Sequence, residues 1–185
     1  MTKKKRVFIS YGREHSLDFA NRLYTALEKE GIDAWFDFAN IPKGDDFQKR
    51  IDDGIESADN FIFVMSPHAL KSTYCKKELK TAVKYNKRII PISHIEVLDN
   101  DPAWSELHKA TIKKLNWVLF REKLDKTKPQ SQWEDIDDFD NSFKELLQVL
   151  NRDAAFIAKH TDILTAALSW DRKRRLQHHL LAGPD

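Results

Sequence analysis

The stretch STYCKKEL, Ser72 to Leu79, carries the side chains best suited to chemistry. Ser72 stands before the first turn of a helix-period segment, STYCKKELKTAVKYN, and is an N-cap by residue type. At about 100° per residue, Cys75, Leu79, Ala82 and Val83 gather into one buried stripe. Glu78 falls on the margin of that stripe, one turn after Tyr74. A helical glutamate ordinarily finds a cation three or four positions away, yet the neighbours of Glu78 at that spacing are Tyr74, Cys75, Thr81 and Ala82. A half-shielded carboxylate of this kind is left to accept hydrogen bonds or to face a positive charge, unless an arginine from elsewhere makes it a structural ion pair.

Other chemistries lack their residues. No G-x-G-x-x-G follows the first apolar run and no G-x-x-x-x-G-K-[ST] occurs, so neither a bound dinucleotide cofactor nor a P-loop is supported. A phosphate-accepting receiver would want acidic residues where Ser10 and Tyr11 stand and an aspartate where Met65 and Ser66 stand. His178 and His179 are adjacent, point about 100° apart on a helix, and read as solvated side chains, so no metal site is expected. With 31 basic against 29 acidic residues the net charge is +2, too small for a general attraction to nucleic acid or membrane. The run Arg172 to Arg175 therefore reads as a solvated helix face. One cysteine, Cys75, excludes an internal disulfide framework and fits a reducing compartment. No apolar stretch approaches the roughly 18 residues of a membrane span, and the start lacks a signal-peptide core. A cytoplasmic protein with no membrane partner is expected.

The elements that would position Glu78 are legible as alternating periods. RVFIS, from Arg6, suits a buried strand. Leu17, Ala20, Leu23, Tyr24 and Leu27 recur at three and four, with Gly31 where a C-terminal cap belongs. IDAWFD and the turn-rich FANIPKGDD come next, then Phe47, Ile51, Ile55 and Ala58 at helical spacing. NFIFVMS is the most apolar strand, RIIPIS is a fourth, and LNWVLF is a fifth after an irregular region from Leu98 to Lys114. This alternation, from Arg6 to about Leu150, predicts an α/β fold with a parallel sheet covered on both faces, and ligands collect outside the carboxyl ends of such strands. The tail differs. Phe139, Phe143, Leu146, Leu147 and Leu150 make one amphipathic helix, and Phe156, Ile157, His160, Ile163, Leu164, Ala167 and Leu168 suggest another with no strand after it. The chain stops at LLAGPD without a closing signal, which suggests a piece of a longer protein.

FISYGREHS, WFDFANIPKGDDF, FIFVMSPHALKSTYCKKEL and RIIPI, in this order, resemble a Toll/interleukin-1 receptor (TIR) domain of the bacterial type over most of the chain. The resemblance implies a flavodoxin-like five-stranded parallel sheet of order 2-1-3-4-5 in residues 1–150, with 151–185 a helical extension. HTDILTAALSWDRKRR and LLAGPD are similar to linkers that lead to a further, sensor-type domain in large bacterial proteins. It also implies NAD+ as substrate rather than cofactor: catalytic members break the nicotinamide–ribose bond with the glutamate of S-x-x-C-x-x-E, the position of Glu78. Tyr74 stands where the family often has tryptophan, keeping an aromatic face. Ser10, Tyr11 and Arg13, after the first strand, suit contact with diphosphate or ribose, or are plain turn residues. Phe36 would stack a base or join the core. Asp37 or Asp45 would assist Glu78, and Lys43 and Gly44, in the family's BB loop (Trp35 to Phe47), would reach a phosphate or a neighbouring subunit. Family members are often activated by self-association, here a homo-oligomer in bacterial immune or stress signalling. A non-catalytic TIR–TIR docking module is the competing class, and a generator of cyclic ADP-ribose would use the same glutamate.

Overall fold

A computed structural model of the chain describes residues 4–36 and 47–173. RVFISY becomes β1 (Arg6–Tyr11), buried on both faces as its unbroken apolar run requires. Four more parallel strands flank it: β2 (Asp33–Phe36), β3 (Asn60–Met65), β4 (Arg88–Ser93) and β5 (Val118–Leu119), in the order β2-β1-β3-β4-β5. The change of direction falls between β1 and β3, whose register pairs Ser10 with Phe63 and Tyr11 with Val64.

Alternation along β1 assigns the two layers. Val7, Ile9 and Tyr11 pack on α1 (Arg13–Lys29) and α6 (Phe139–Asn151) through Phe19, Leu23, Leu27, Leu146 and Leu150. Phe8, with Phe61, Phe63 and Met65 of β3, packs on α2 (Phe47–Ser57) and α4 (Thr73–Lys84) through Ile51, Ile55, Leu79 and Ala82. Gly31 follows α1 at φ +69°, the left-handed conformation that ends a helix and favours glycine.

Three features depart from the periodicity. The turn from β3 contains a short helix, α3 (Pro67–Lys71), capped by Ser66, whose Oγ accepts the Ala69 N–H at 3.1 Å. The irregular region holds α5 (Glu106–His108), which runs into a π-helical turn, Lys109–Lys113. Only Val118–Leu119 of the expected fifth strand pairs, because Leu115 and Trp117 close that turn: the Leu115 N–H and the Trp117 Nε1–H both donate to the Ile112 carbonyl, at 3.0 and 3.1 Å. Two strands too short to show a period, β6 (Glu122–Lys123) and β7 (Glu134–Asp135), form an antiparallel ribbon.

The last helix, α7 (Ala154–Arg172), lies against α2. Leu164 and Leu168 pack on the α2/α4 core, the Thr161 hydroxyl reaches the Ala58 carbonyl at 3.4 Å, and Arg172 pairs with Glu56. Its expected apolar stripe is divided, because Phe156 and Ile163 are exposed. No helix among the described residues is long and apolar enough to cross a membrane.

Candidate active site

The parity of β1 delivers Ser10 to the α4 side of the sheet, at the strand's carboxyl end. α4 opens opposite it. The Ser72 Oγ accepts the Cys75 N–H at 3.3 Å, and the buried Cys75 Sγ donates to the Tyr11 carbonyl at 3.2 Å, tying the first turn of α4 to the end of β1. One turn on, the Glu78 Oε2 accepts a hydrogen bond from the Ser10 hydroxyl at 2.5 Å.

Glu78 is only 6% exposed, more buried than its place on the margin of the stripe suggests. The tie at Cys75 rotates α4 so that Cys75, Glu78, Leu79 and Ala82 face inward, and Val83, expected inside, is 41% exposed. The tertiary arginine that would have made Glu78 a structural ion pair is absent among the described residues; Ser10 is its hydrogen-bond partner. Burial pushes the Glu78 carboxyl up to about 7, and the Ser10 hydrogen bond pulls modestly the other way. Near neutral pH the group thus divides between a charged acceptor and a neutral acid, a poise usual at functional sites.

The other candidates distribute around this pair. Tyr74 is 54% exposed, one turn before Glu78 on the same helix. Arg13 begins α1, directly beyond the β1 end. Tyr11 and Phe36 lie on the opposite face of the sheet from Glu78, with ring centroids 5.9 Å apart and Tyr24 4.9 Å from Phe36. Phe36 takes the core role of its two alternatives, and Tyr11 meets the site through its backbone carbonyl. Asp37, Lys43, Gly44 and Asp45 lie outside the described residues, as do His178, His179, Arg174 and Arg175.

Two features were not legible as site residues. A Cβ on Gly12 would lie 2.5 Å from the Ala69 nitrogen and 2.8 Å from the His68 Nδ1, so glycine is what lets α3 pack across the end of β1. His15 and His68 face one another there, ring centroids 5.8 Å apart, with Glu14 3.7 and 3.6 Å from their Nε2 atoms. Burial lowers the pKa of His15. The string GREHS directly after a strand was the available signal. A groove of about 510 Å³ between β2 and α2, lined by Trp35, Arg50 and Gly54, is not lined by Glu78. Among the described residues, no cluster of His, Cys, Asp and Glu has the makings of a metal site.

Known proteins with similar sequences include the 2' cyclic ADP-D-ribose synthase of Bacteroides thetaiotaomicron, 33% identical over 97 residues, 50% of this chain and 34% of that protein. The NAD(+) hydrolase of Paracoccus denitrificans is 33% identical over 92 residues, 48% of this chain and 31% of that protein. The chain thus spans about a third of the length of these relatives. Among solved structures, the TIR domain of a Toll-related receptor of Hydra magnipapillata superposes with a TM-score of 0.50 at 26% identity, covering 61% of this chain and 82% of that one. The TIR-domain family profile matches residues 7–147, from within β1 to within α6, and with the 2-1-3-4-5 sheet it establishes that this chain belongs to the TIR domain family.

Proposed function

We propose that this chain is an NAD+ nucleosidase that cleaves the nicotinamide–ribose bond with Glu78 as its catalytic carboxylate. The observation that carries the reading is the buried Glu78, with no basic partner among the described residues and held by Ser10 at the carboxyl end of the sheet. Relatives named as an NAD(+) hydrolase and a 2' cyclic ADP-D-ribose synthase support it.

The chemistry suits one carboxylate. Nicotinamide departs neutral, so it needs no general acid to protonate it. Departure leaves an oxocarbenium-like ribosyl cation. Glu78, ionised, accepts hydrogen bonds from the ribose hydroxyls and faces the developing positive charge, in surroundings where little water weakens that interaction. Ser10 keeps one carboxylate oxygen oriented, leaving the other for substrate. Tyr74 offers an exposed aromatic face one turn away. Water capturing the cation gives ADP-ribose; the substrate's own adenosine moiety capturing it gives a cyclic product.

The reading extends to activation by self-association, in bacterial immune or stress signalling in the cytoplasm, with residues 1–150 as the catalytic domain and 151–185 leading to a sensor domain. The test is NAD+ consumption with product separation, for wild type and Glu78→Ala, over a range of protein concentrations. Nicotinamide release that rises faster than protein concentration and vanishes in the variant is expected. A wild type that self-associates yet releases no nicotinamide overturns the enzyme reading in favour of a docking module.

A further inference from the structure

Away from Glu78, three side chains able to do chemistry stand in line. Ser16 lies one turn into α1, His94 directly follows β4 and Glu122 begins β6. The Ser16 Oγ is 2.9 Å from the His94 Nδ1, and the Glu122 Oε2 is 3.1 Å from the His94 Nε2. A serine, an imidazole and a carboxylate in that order are the parts of a hydrolytic triad. Ser16 is 0% exposed and His94 1%, however, so no substrate reaches the hydroxyl and the line does not supply a nucleophile.

What it supplies is direction. A bare Nε2 would set its lone pair against the Glu122 carboxylate, so the ring proton sits on Nε2 and the bare Nδ1 accepts from the Ser16 hydroxyl. The imidazole is held in that pose. Phe19 stacks on it at 4.3 Å, the His94 N–H donates to the Met65 carbonyl at 3.2 Å, and the His94 carbonyl accepts the Glu122 N–H at 2.9 Å. Ser16 itself is non-helical, so the turn from Arg13 to Ser16 leaves the path of the segment that Leu23 and Leu27 fix in the core. Its bond to His94 sets the angle of departure. The same turn grips the end of β1, because the His15 and Ser16 N–H groups both donate to the Gly12 carbonyl, at 3.1 and 3.0 Å. Arg13, exposed at the start of the turn, is thereby placed just beyond Ser10.

We propose that His94 is a positioning residue for the substrate: held between Glu122 and Ser16, it directs the first turn of α1 so that Arg13 meets the diphosphate of the dinucleotide at the end of β1. The inference rests on the NAD+ reading above and deepens it. Glu78 is positioned separately, by α4 and by the tie of Cys75 to the Tyr11 carbonyl. Loss of the line therefore weakens the hold on substrate and leaves bond cleavage at its own rate, a change in KM with kcat kept.

The experiment is steady-state nicotinamide release from NAD+, at one protein concentration at which wild type turns over. It compares Ser16→Ala, His94→Phe, Arg13→Ala, the first two each combined with Arg13→Ala, and Glu122→Gln, which keeps an acceptor for the Nε2–H. Ser16→Ala and His94→Phe lie in the interior and leave the surface as it is. Each is expected to raise KM about tenfold with kcat within about twofold, the effect of one charge-assisted contact to phosphate. Arg13→Ala should raise KM as much, and Glu122→Gln should stay close to wild type. In the double variants KM should rise no further than in Arg13→Ala alone, because the line acts through Arg13; a merely structural role would multiply the two effects. His94→Phe keeps the stack on Phe19, and if it does not fold, Ser16→Ala decides. An unchanged KM in Ser16→Ala or Arg13→Ala, a fall in kcat at constant KM, or doubles that multiply the single effects overturns the proposal and leaves the NAD+ reading standing. Glu122→Gln as impaired as Ser16→Ala overturns it as well, by removing the tautomer on which it is built. A wild type that releases no nicotinamide at any concentration removes the NAD+ reading and this inference together.

Discussion

At the scale of single residues, the central fact is a carboxylate kept from water by packing and compensated by one hydroxyl. The Glu78 pKa is raised from 4.5 to about 7, so between these values the folded chain holds a proton that the unfolded chain has lost. The contribution of Glu78 to stability therefore falls as pH rises through that window, by about 3 kcal/mol in all, and is level above it. Glu78→Gln, which keeps the shape of the protonated acid, is expected to match wild type near the lower bound in urea unfolding and to exceed it by up to about 3 kcal/mol above pH 8. Activity should move oppositely: only the ionised group serves the ribosyl cation, so nicotinamide release rises with pH through about 7. Ser10→Ala removes the hydrogen bond that favours ionisation and should displace that limb to higher pH; a limb displaced downward, or unmoved, contradicts the assigned role. The absence of a local cation beside Glu78 was legible from helical spacing. Its partner was not, because Ser10 is 68 residues away and meets it only through strand register.

At the scale of elements, periodicity located the long helices and buried strands, and missed what tertiary hydrogen bonds impose on them. α1 reads as one amphipathic helix, yet Ser16 at φ −141°, ψ 17° breaks its path. The Ser16 hydroxyl is 2.9 Å from the Nδ1 of His94 at the end of β4, and the Gln130 amide accepts the Asp18 N–H at 3.1 Å while donating to the Glu14 carbonyl. Gln130 thus occupies the place of the helical bond between residues 18 and 14. No local pattern announces such an insertion, because its residues are 112 and 116 positions apart. Gln130→Ala is expected to cost about 1 kcal/mol in urea unfolding and to change the hydrogen exchange of the Asp18 amide. Gly12 is less forgiving. Gly12→Ala places a methyl 2.5 Å from a backbone nitrogen of α3, and a loss of roughly 1–3 kcal/mol is expected; unchanged stability would mean that α3 shifts freely.

For the whole molecule, the sheet with its two helical layers was anticipated, whereas the seat of the last helix was not. An amphipathic pattern says that α7 buries one face, but only the assembled domain offers the surface: α2, with Ala58, Glu56 and Asp59 along its exit. Arg6 binds Asp59 at 2.8 Å and reaches Asp162 of α7 at 3.4 Å, so the first strand, the α2 exit and the last helix meet at one charged junction. The exposed members of that junction contribute little each, because water screens them; most of the docking energy comes from Leu164 and Leu168. Leu164→Asp should therefore release α7 while leaving the sheet intact, since among the described residues α7 joins the α2/α4 core through Leu164 and Leu168 and contributes no member to the α1/α6 core. The expected result is a limited-proteolysis cut within α7, faster hydrogen exchange in α2, and persistence of the β1, β3 and β4 amides. Exchange that quickens equally in all three strands would instead make α7 part of one cooperative unit with the sheet.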